Sequence, residues 1–503
     1  MDAAEISRRS LLLAGAGAVA GAAALHPAAS LAARAADVPG TIELGPLGGE
    51  PRTVRLPRSV GVVGLQRDGG GLPVGVELRV RLTGGGWGPW TAARTQGHGP
   101  DAAGRRAGGE PLWVGGAREL EVRAPAPAAG VRLRYILASG TGSEAGERAV
   151  AAALPLAQPV LEAGSGQPPI IARSAWARGT QLPRVAPEYG LVELGFVHHT
   201  ENPNGYAAAE VPAMLRAIYA FHRNVNGWND IGYNFVIDLF GRVWEARAGG
   251  IDEPVVGAHA GGYNLVSTGV AVLGSFSGVP ISNAARSTLQ RLLAWKLALH
   301  GVPSRGRVVV RVNPAGAGFS KYPARARVSL PRIAGHRDAD STECPGDALY
   351  GQLPAVRHAV SALSGRPVVA TLLEQAPAPA SPPTQPAAPG EPPTTTVPAP
   401  AVPELLATLT GLDGSPLAGA QVVLQGRTVS RRGETVVQRT LAQGTTDAEG
   451  HCALPASFAV GAGKPLWVRA LHPAEQAGGA AVSRAIRVEP VAAGAPQTSV
   501  PVG

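Results

Sequence analysis

Cysteine and lysine are nearly missing from this chain. Of its 503 residues only Cys344 and Cys452 are cysteines, too few for the disulfide framework that staples small secreted domains. A thiol kept in so cysteine-poor a chain calls for a chemical reason, and metal binding or catalysis is the expectation for Cys344. Lysine occurs only at Lys296, Lys321 and Lys464, so arginine carries nearly all the basic charge behind the formal net charge of +9. That bias fits a GC-rich genome, or an anionic partner such as an acidic wall polymer, a membrane or a nucleic acid. No Lys/Arg run is interleaved with aromatic residues, which argues against nucleic acid. Beyond the N-terminal segment no apolar run is long enough to cross a bilayer, so no stable membrane span is expected.

Hydrophobic residues make up 45% of the sequence. Most of the chain should therefore fold, and its length accommodates two to four domains with cores of their own. Residues 1–36 contain Ser7-Arg8-Arg9-Ser10-Leu11-Leu12 ahead of a short, weakly apolar Ala/Gly stretch, with Ala33-Arg34-Ala35 as a small-x-small cleavage site. This resembles a twin-arginine export signal, and a secreted or wall-located product is expected. The stretch is too short and too weakly apolar to favour a membrane anchor.

Residues 37–156 hold short runs of period-two alternation, such as "GVELRVRL" and "VRLRYILAS", between Gly/Pro turns. They read as an N-terminal β domain. The tryptophans of "GGGWGPW" (84–90) are expected to lie over a sheet edge in preference to stacking on a sugar. A connection at 157–169 leads to a mixed α/β region over 170–365, where buried strands ("GFVHHT", "TGVAVLGSF") alternate with helical stretches. The helix at 282–301 has Ser282 as its N-cap and Gly301 past its end, and the one at 346–363 is expected to kink or break near Pro354. Residues 374–403 read as a Pro/Ala/Thr linker, and 404–503 as a C-terminal β-sandwich of loosely Ig-like or transthyretin-like layout. The fold class is thus α/β with a β-sandwich-like domain on either side.

The stretch "GHRDADSTECPG" places His336 eight positions before Cys344 across a polar loop. Thiolate and imidazole are zinc ligands. Two ligands make a poor site, and "FVHHT" offers a third in His198 or His199; on a strand these face opposite ways, so only one can join the metal. His222 reads as part of an amphipathic helix. His259, in the glycine-rich "VVGAHAGGYN", fits either a groove or loop packing.

Five blocks in order, "IIARSAW", "FVHHT", "WNDIGYNFVIDLFGRVWEARAGG", "VGAHAGGYNLVSTGVAVLGSF" and "GHRDADSTECPGDALY", resemble the type 2 N-acetylmuramoyl-L-alanine amidase family, which includes the peptidoglycan recognition proteins. The resemblance covers about 170–365. It implies a mixed sheet flanked by helices, with Zn2+ in a surface groove held by His198, His336 and Cys344. It also implies catalytic roles for Tyr233 and Thr342, substrate contacts from His199, Trp228, His259 and Asn264, peptidoglycan as partner, and hydrolysis of the lactyl–L-alanine amide. The leaving amine could take its proton from Asp340, Tyr233 or a groove histidine. The alternative is a non-catalytic peptidoglycan-binding recognition protein; such members commonly lack a zinc ligand, whereas all three positions are filled here. A glycosidase using Asp238 and Glu245 is less favoured, because both sit in a hairpin and are expected to face solvent. The flanking domains have no readable activity, though they could hold anionic wall polymers. Residues 165–370 contain every candidate site residue and are expected to fold alone.

Overall fold

Three groups of strands organise the chain. The structure, a computed structural model, describes residues 39–489 apart from 58–59, 68–70, 73, 82–84, 94–97, 102–108, 138–165, 178, 180, 365–366, 376–403, 430–435, 460–465 and 474–478. Residues 1–36, expected to be an export signal, lie outside the described residues, as do most of 157–169 and 374–403.

The first group comprises β1 (Pro39–Glu43), β2 (Arg52–Arg55), β3 (Val60–Arg67), β4 (Glu77–Val80), β5 (Thr91–Ala92), β6 (Leu112–Trp113), β7 (Glu119–Arg123) and β8 (Val131–Leu137). Two antiparallel sheets, ordered β1-β8-β3-β6 and β2-β7-β4-β5, face each other. The alternation seen in the sequence sends Leu120, Val122, Val131 and Leu133 into the shared core, as a half-buried pleated surface requires. Trp87 and Trp90 lie over the guanidinium groups of Arg79, Arg81 and Arg123 at 4.1 to 5.3 Å, cation–π contacts on the outer side of β4 and β7.

The central group runs β9 (Ile170–Ile171), α1 (Ser174–Ala177), β10 (Leu194–His199), α2 (Val211–Ala220), β11 (Phe235–Ile237), β12 (Val243–Glu245), β13 (Ser267–Val272), α3 (Asn283–Leu299), β14 (Arg307–Arg311), β15 (Arg327–Pro331), β16 (Ile333–Gly335) and α4 (Asp347–Leu363). Six strands form a mixed sheet ordered β16-β10-β13-β11-β12-β9, while β14 and β15 pair separately. In α3 the Ser282 hydroxyl accepts from the Ala285 N–H at 3.0 Å, and Gly301 takes φ +66° just past the end. This is the cap pair that the sequence suggests. Helix α4 runs on through Pro354, which sits on its exposed side, and does not break there. Val197, Val270 and Val272 turn one face of the sheet toward α3 and α4. Val236 and Ala271 turn the other toward α2.

The third group is β17 (Val368–Gln375), β18 (Glu404–Gly411), β19 (Gln421–Val429), β20 (Val436–Thr445), β21 (His451–Pro455), β22 (Leu466–His472), β23 (Ala481–Val482) and β24 (Ile486–Val488). It too is an antiparallel sandwich, with Cys452 in its core. Strand β17 pairs along its whole length with β18, from Val368 opposite Gly411 to Gln375 opposite Glu404. This corrects the expected boundary. The sandwich begins at Val368, not at 404, and residues 376–403 connect two neighbouring strands of one sheet where a spacer between domains was expected.

The central segment 165–370, expected to fold alone, shares apolar clusters with both neighbours. Val62, Trp113 and Ile136 of the first sandwich share one apolar cluster with α2 and its flanks, including Tyr219 and Phe221. Gly64 makes the fit possible, since a Cβ there would meet the Phe221 ring at 2.3 Å. On the far side Leu471, Ala480 and Val482 of the third group join the cluster of α3 and α4. The flanking sandwiches therefore cover apolar surface of the central domain, and removing them would expose it to water.

Candidate metal centre

Strand pairing sets up the centre. Strands β10 and β16 are parallel neighbours with Val197 opposite Gly335. The next residue on each, His198 and His336, therefore leaves the sheet beside the other at the carboxyl ends of the strands, where open α/β sheets place their ligands. The loop after His336 brings the thiol back: the Arg337 N–H donates to the Cys344 carbonyl at 2.9 Å, and the Cys344 N–H donates to Thr342 Oγ1 at 3.2 Å. The Cys344–Pro345 peptide is cis.

Ligand atoms of His198, His336 and Cys344 lie within 4.8 Å of one another. Zinc–nitrogen and zinc–sulfur bonds of about 2.0 and 2.3 Å imply ligand separations of about 3.5 Å on one tetrahedral ion, so a small contraction would close the set. The hydrogen bonds identify the atoms that face the centre. His198 presents Nδ1 to Cys344 Sγ at 3.7 Å, while its Nε2 meets His259 Nδ1 at 3.2 Å. His336 holds Asp340 Oδ2 with Nε2 at 2.9 Å and leaves Nδ1 buried without a hydrogen-bond partner. An orphaned buried imidazole nitrogen beside a thiol and a second imidazole is what a bound cation would satisfy. Orientation of the ring through its other nitrogen is how metal-binding histidines are held.

Burial governs the charges. It pushes His198 and His336 well below the ordinary imidazole range, with neighbouring imidazoles adding to the effect, so both keep a free lone pair. Burial also raises the Cys344 thiol, against a lowering contribution from the His199 N–H that points at Sγ from 3.4 Å. A cation would displace that proton, because the thiolate is the form that binds metal. Tyr233 is 2% exposed, with its ring 5.5 Å from His198. Burial holds its phenol protonated far above the usual range.

The comparisons with known proteins fall on the same segment. Residues 188–347 match the family described as N-acetylmuramoyl-L-alanine amidase, and 26–151 match one described as Rv3811 N-terminal galactose-binding domain-like. Peptidoglycan-recognition protein SC2 of Drosophila simulans is 30% identical over 184 residues, 37% of this chain and 84% of that protein. The chain belongs to the family of peptidoglycan-recognition proteins and N-acetylmuramoyl-L-alanine amidases. The human N-acetylmuramoyl-L-alanine amidase is 32% identical over 212 residues, 41% of this chain and 31% of that protein. Drosophila PGRP-LB, a solved structure, aligns at 25% identity over 37% of this chain and 92% of that one, with a TM-score of 0.29.

Within this amidase-family domain the remaining candidates have different surroundings. His199 points away from the metal face; its Nδ1 accepts from the Phe276 N–H and its Nε2 lies 2.7 Å from Glu201. Trp228 is buried against His222, ring centres 4.4 Å apart. His259 is fully buried and positions His198. The Asn264 carboxamide accepts from the His259 and Ala260 N–H groups and donates to the Gly99 carbonyl and Asp101. It is enclosed as the protein is folded.

Three residues do work that the sequence did not reveal. Asp340, considered as a proton donor, is buried and held by His336 and by the Gly261 N–H. His222, read as part of an amphipathic helix, sits at a π-turn (Phe221–Val225) that rotates it inward, where its Nδ1 accepts from the Gly232 N–H at 3.1 Å. His98 of the first sandwich enters the same space, its ring 5.4 Å from Trp228. Asp238 does not face solvent as expected. It is fully buried and accepts from Arg242 and from Trp244 Nε1, while Glu245 accepts from the Arg173 N–H. Asp238 is committed to its own hairpin, and Glu245 ties the hairpin to the segment after β9.

Proposed function

We propose that this protein is a zinc-dependent N-acetylmuramoyl-L-alanine amidase, exported by a twin-arginine signal and acting on peptidoglycan in the cell wall. The observation that carries the reading is the convergence of His198 Nδ1, His336 Nδ1 and Cys344 Sγ beside the buried Tyr233 phenol. Two neutral imidazoles and one thiolate fit zinc, and a three-ligand set leaves a coordination position for chemistry. When bound, zinc supplies Lewis acidity and brings the pKa of water to about 7.

The chain's own groups do the rest. Asp340 and His259 fix the two imidazoles through their outward nitrogens. Tyr233, protonated at any working pH, can donate to the negative charge that develops on the lactyl carbonyl oxygen. Thr342 accepts from the Cys344 N–H and keeps its hydroxyl proton to donate toward the same region. Hydrolysis adds water across the amide: the lactyl carbon gains hydroxyl and leaves as a carboxylate, and the L-alanine nitrogen gains a proton. The relatives are named for peptidoglycan recognition or for this amidase activity, which supports peptidoglycan as partner.

Digestion of purified peptidoglycan is expected to free one α-amino group of L-alanine per cleavage and no reducing sugar ends. Cys344→Ser should lose most of its zinc, read by elemental analysis, together with amine release, because a neutral hydroxyl is a poor zinc ligand. New reducing ends without free alanine amines would overturn the amidase reading. Full amine release from a zinc-free Cys344→Ser protein would overturn the metal.

A further inference from the structure

One buried imidazole has no part in the chemistry above. His98 belongs to the segment between β5 and β6 of the first sandwich, yet it is 3% exposed and lies against the candidate ligands. Its ring centre is 5.7 Å from that of His336 and 6.3 Å from that of His198. Imidazoles that share one tetrahedral zinc, each with a bond of about 2.0 Å, have ring centres about 5 Å apart. His98 lies outside the set of ligand atoms within 4.8 Å of one another, so sharing the ion requires its side chain to move toward His336 and His198. Its Nδ1 lies 3.2 Å from Glu110 Oε1, and its Nε2 is buried without a hydrogen-bond partner. His336 has the same arrangement, with one nitrogen on Asp340 and the other orphaned. A carboxylate on one nitrogen is how an imidazole is oriented to give the other to a metal.

Residues 98–101 and 110–113 are held by the central domain. The Gly99 carbonyl accepts from Asn264 at 2.9 Å, Asp101 Oδ1 accepts from the Gly262 N–H at 2.8 Å, and its Oδ2 accepts from Asn313 at 3.1 Å. Beyond Glu110, the Trp113 N–H donates to Asn202 Oδ1 at 2.7 Å, and the Trp113 ring packs in the cluster around α2. The docked first sandwich therefore fixes where His98 sits.

We propose that His98 is a fourth protein ligand, supplied by the first domain through Nε2 and oriented by Glu110, so that the folded full chain holds its metal in a closed, latent site. The proposal rests on the reading of His198, His336 and Cys344 as metal ligands. Four protein ligands close a zinc site, whereas a catalytic site keeps a position for water or substrate. Turnover then requires His98 to give way. Peptidoglycan reaching the centre would bring hydroxyls and amides that can replace the polar bonds now made by Gly99 and Asp101.

Cobalt(II) substitution in the full chain tests this. Wild type, His98→Ala and His98→Gln, each shown to be folded by near-ultraviolet circular dichroism, are loaded with cobalt(II), and visible spectra are recorded with and without azide and free imidazole. Wild type should show a thiolate charge-transfer band and tetrahedral d–d bands that azide leaves unchanged. Both variants should keep the thiolate band, shift their d–d bands and respond to azide, and imidazole should return His98→Ala to the wild-type pattern. Amine release from a small soluble muropeptide should rise about tenfold or more in zinc-loaded His98→Ala, as expected if the open state is populated at about a tenth or less in wild type. Superimposable spectra of wild type and His98→Ala, both azide-sensitive, would overturn the fourth ligand and leave the other three standing. A d–d shift without a rise in amine release would overturn latency. Absence of any thiolate band from wild type would overturn the metal site and this proposal together.

Discussion

Tyr233 illustrates how burial alone can set a residue's chemistry. The phenol is enclosed by aromatic rings, His198 at 5.5 Å and His98 at 5.4 Å among them, and desolvation penalises its anion. It therefore enters any reaction as a donor and not as a base. Tyr233→Phe keeps the ring and its packing and removes only the hydroxyl. The variant is expected to bind one metal per chain with unchanged thermal stability, while turnover falls by about 10²–10³, the usual loss for one transition-state donor. Steady-state amine release at matched zinc content measures this, and an unchanged turnover number would take Tyr233 out of the mechanism. Asp340 shows the same burial with another outcome. Its carboxyl is driven toward the neutral form, yet its geometry commits it to His336, so position and not acidity defines its part.

At the scale of elements, parallel pairing of β10 with β16 and with β13 does most to build the centre. The first pairing aligns the two imidazoles. The second places Gly269 of β13 opposite Phe196, beneath the ring of His259. A Cβ at 269 would meet that ring at 2.4 Å, so the absent side chain is the space that His259 occupies while it holds His198. Gly269→Ala is expected to leave the sheet intact, displace the His259 imidazole and free His198 to rotate. Metal affinity should fall by about 10- to 100-fold, the range for losing an orienting partner, as read by competition with a chromogenic chelator. An affinity equal to wild type would mean that His259 packs in the loop without orienting the ligand.

For the whole molecule, the buried joins between domains are the main consequence of the fold. Arg469 of β22 is 1% exposed and reaches Asp252 at 2.5 Å and Glu253 at 3.1 Å across the boundary between the central domain and the third group. Lys296 donates to the Ile251 and Glu253 carbonyls from the other side, and burial pushes its ammonium down to about 7. Removing Arg469 takes this guanidinium from the buried Asp252, while Glu253 keeps Arg427 at 2.5 Å; loss of one partner from a buried ion pair costs about 3–5 kcal/mol. Arg469→Met is therefore expected to lower the unfolding free energy of the full chain by that order, measured by denaturant titration followed by circular dichroism. A change below about 1 kcal/mol would show that the join opens to water at little cost. The same network, with the apolar cluster shared between α2 and the first sandwich, joins the central domain to both neighbours through buried contacts.

Sequence by itself determined what is local or carried by motif. Alternation marked the strands of both sandwiches, Ser282 and Gly301 bounded α3, and "FVHHT" with "GHRDADSTECPG" named the three residues that converge as the candidate ligands. It chose between the tandem histidines only with help from the family resemblance, since period two says that they diverge but not which way. Tertiary structure decided what depends on register and on contacts distant in sequence. The π-turn that rotates His222 inward, the commitment of Asp238 to its own hairpin, and the pairing of β17 with β18 across the proline-rich stretch leave no periodic trace. The arrival of His98 from another domain, 238 positions before His336, leaves none either. A lone histidine in a loop carries no local signal, because its environment is set by the sheet packing that docks the first sandwich on α2.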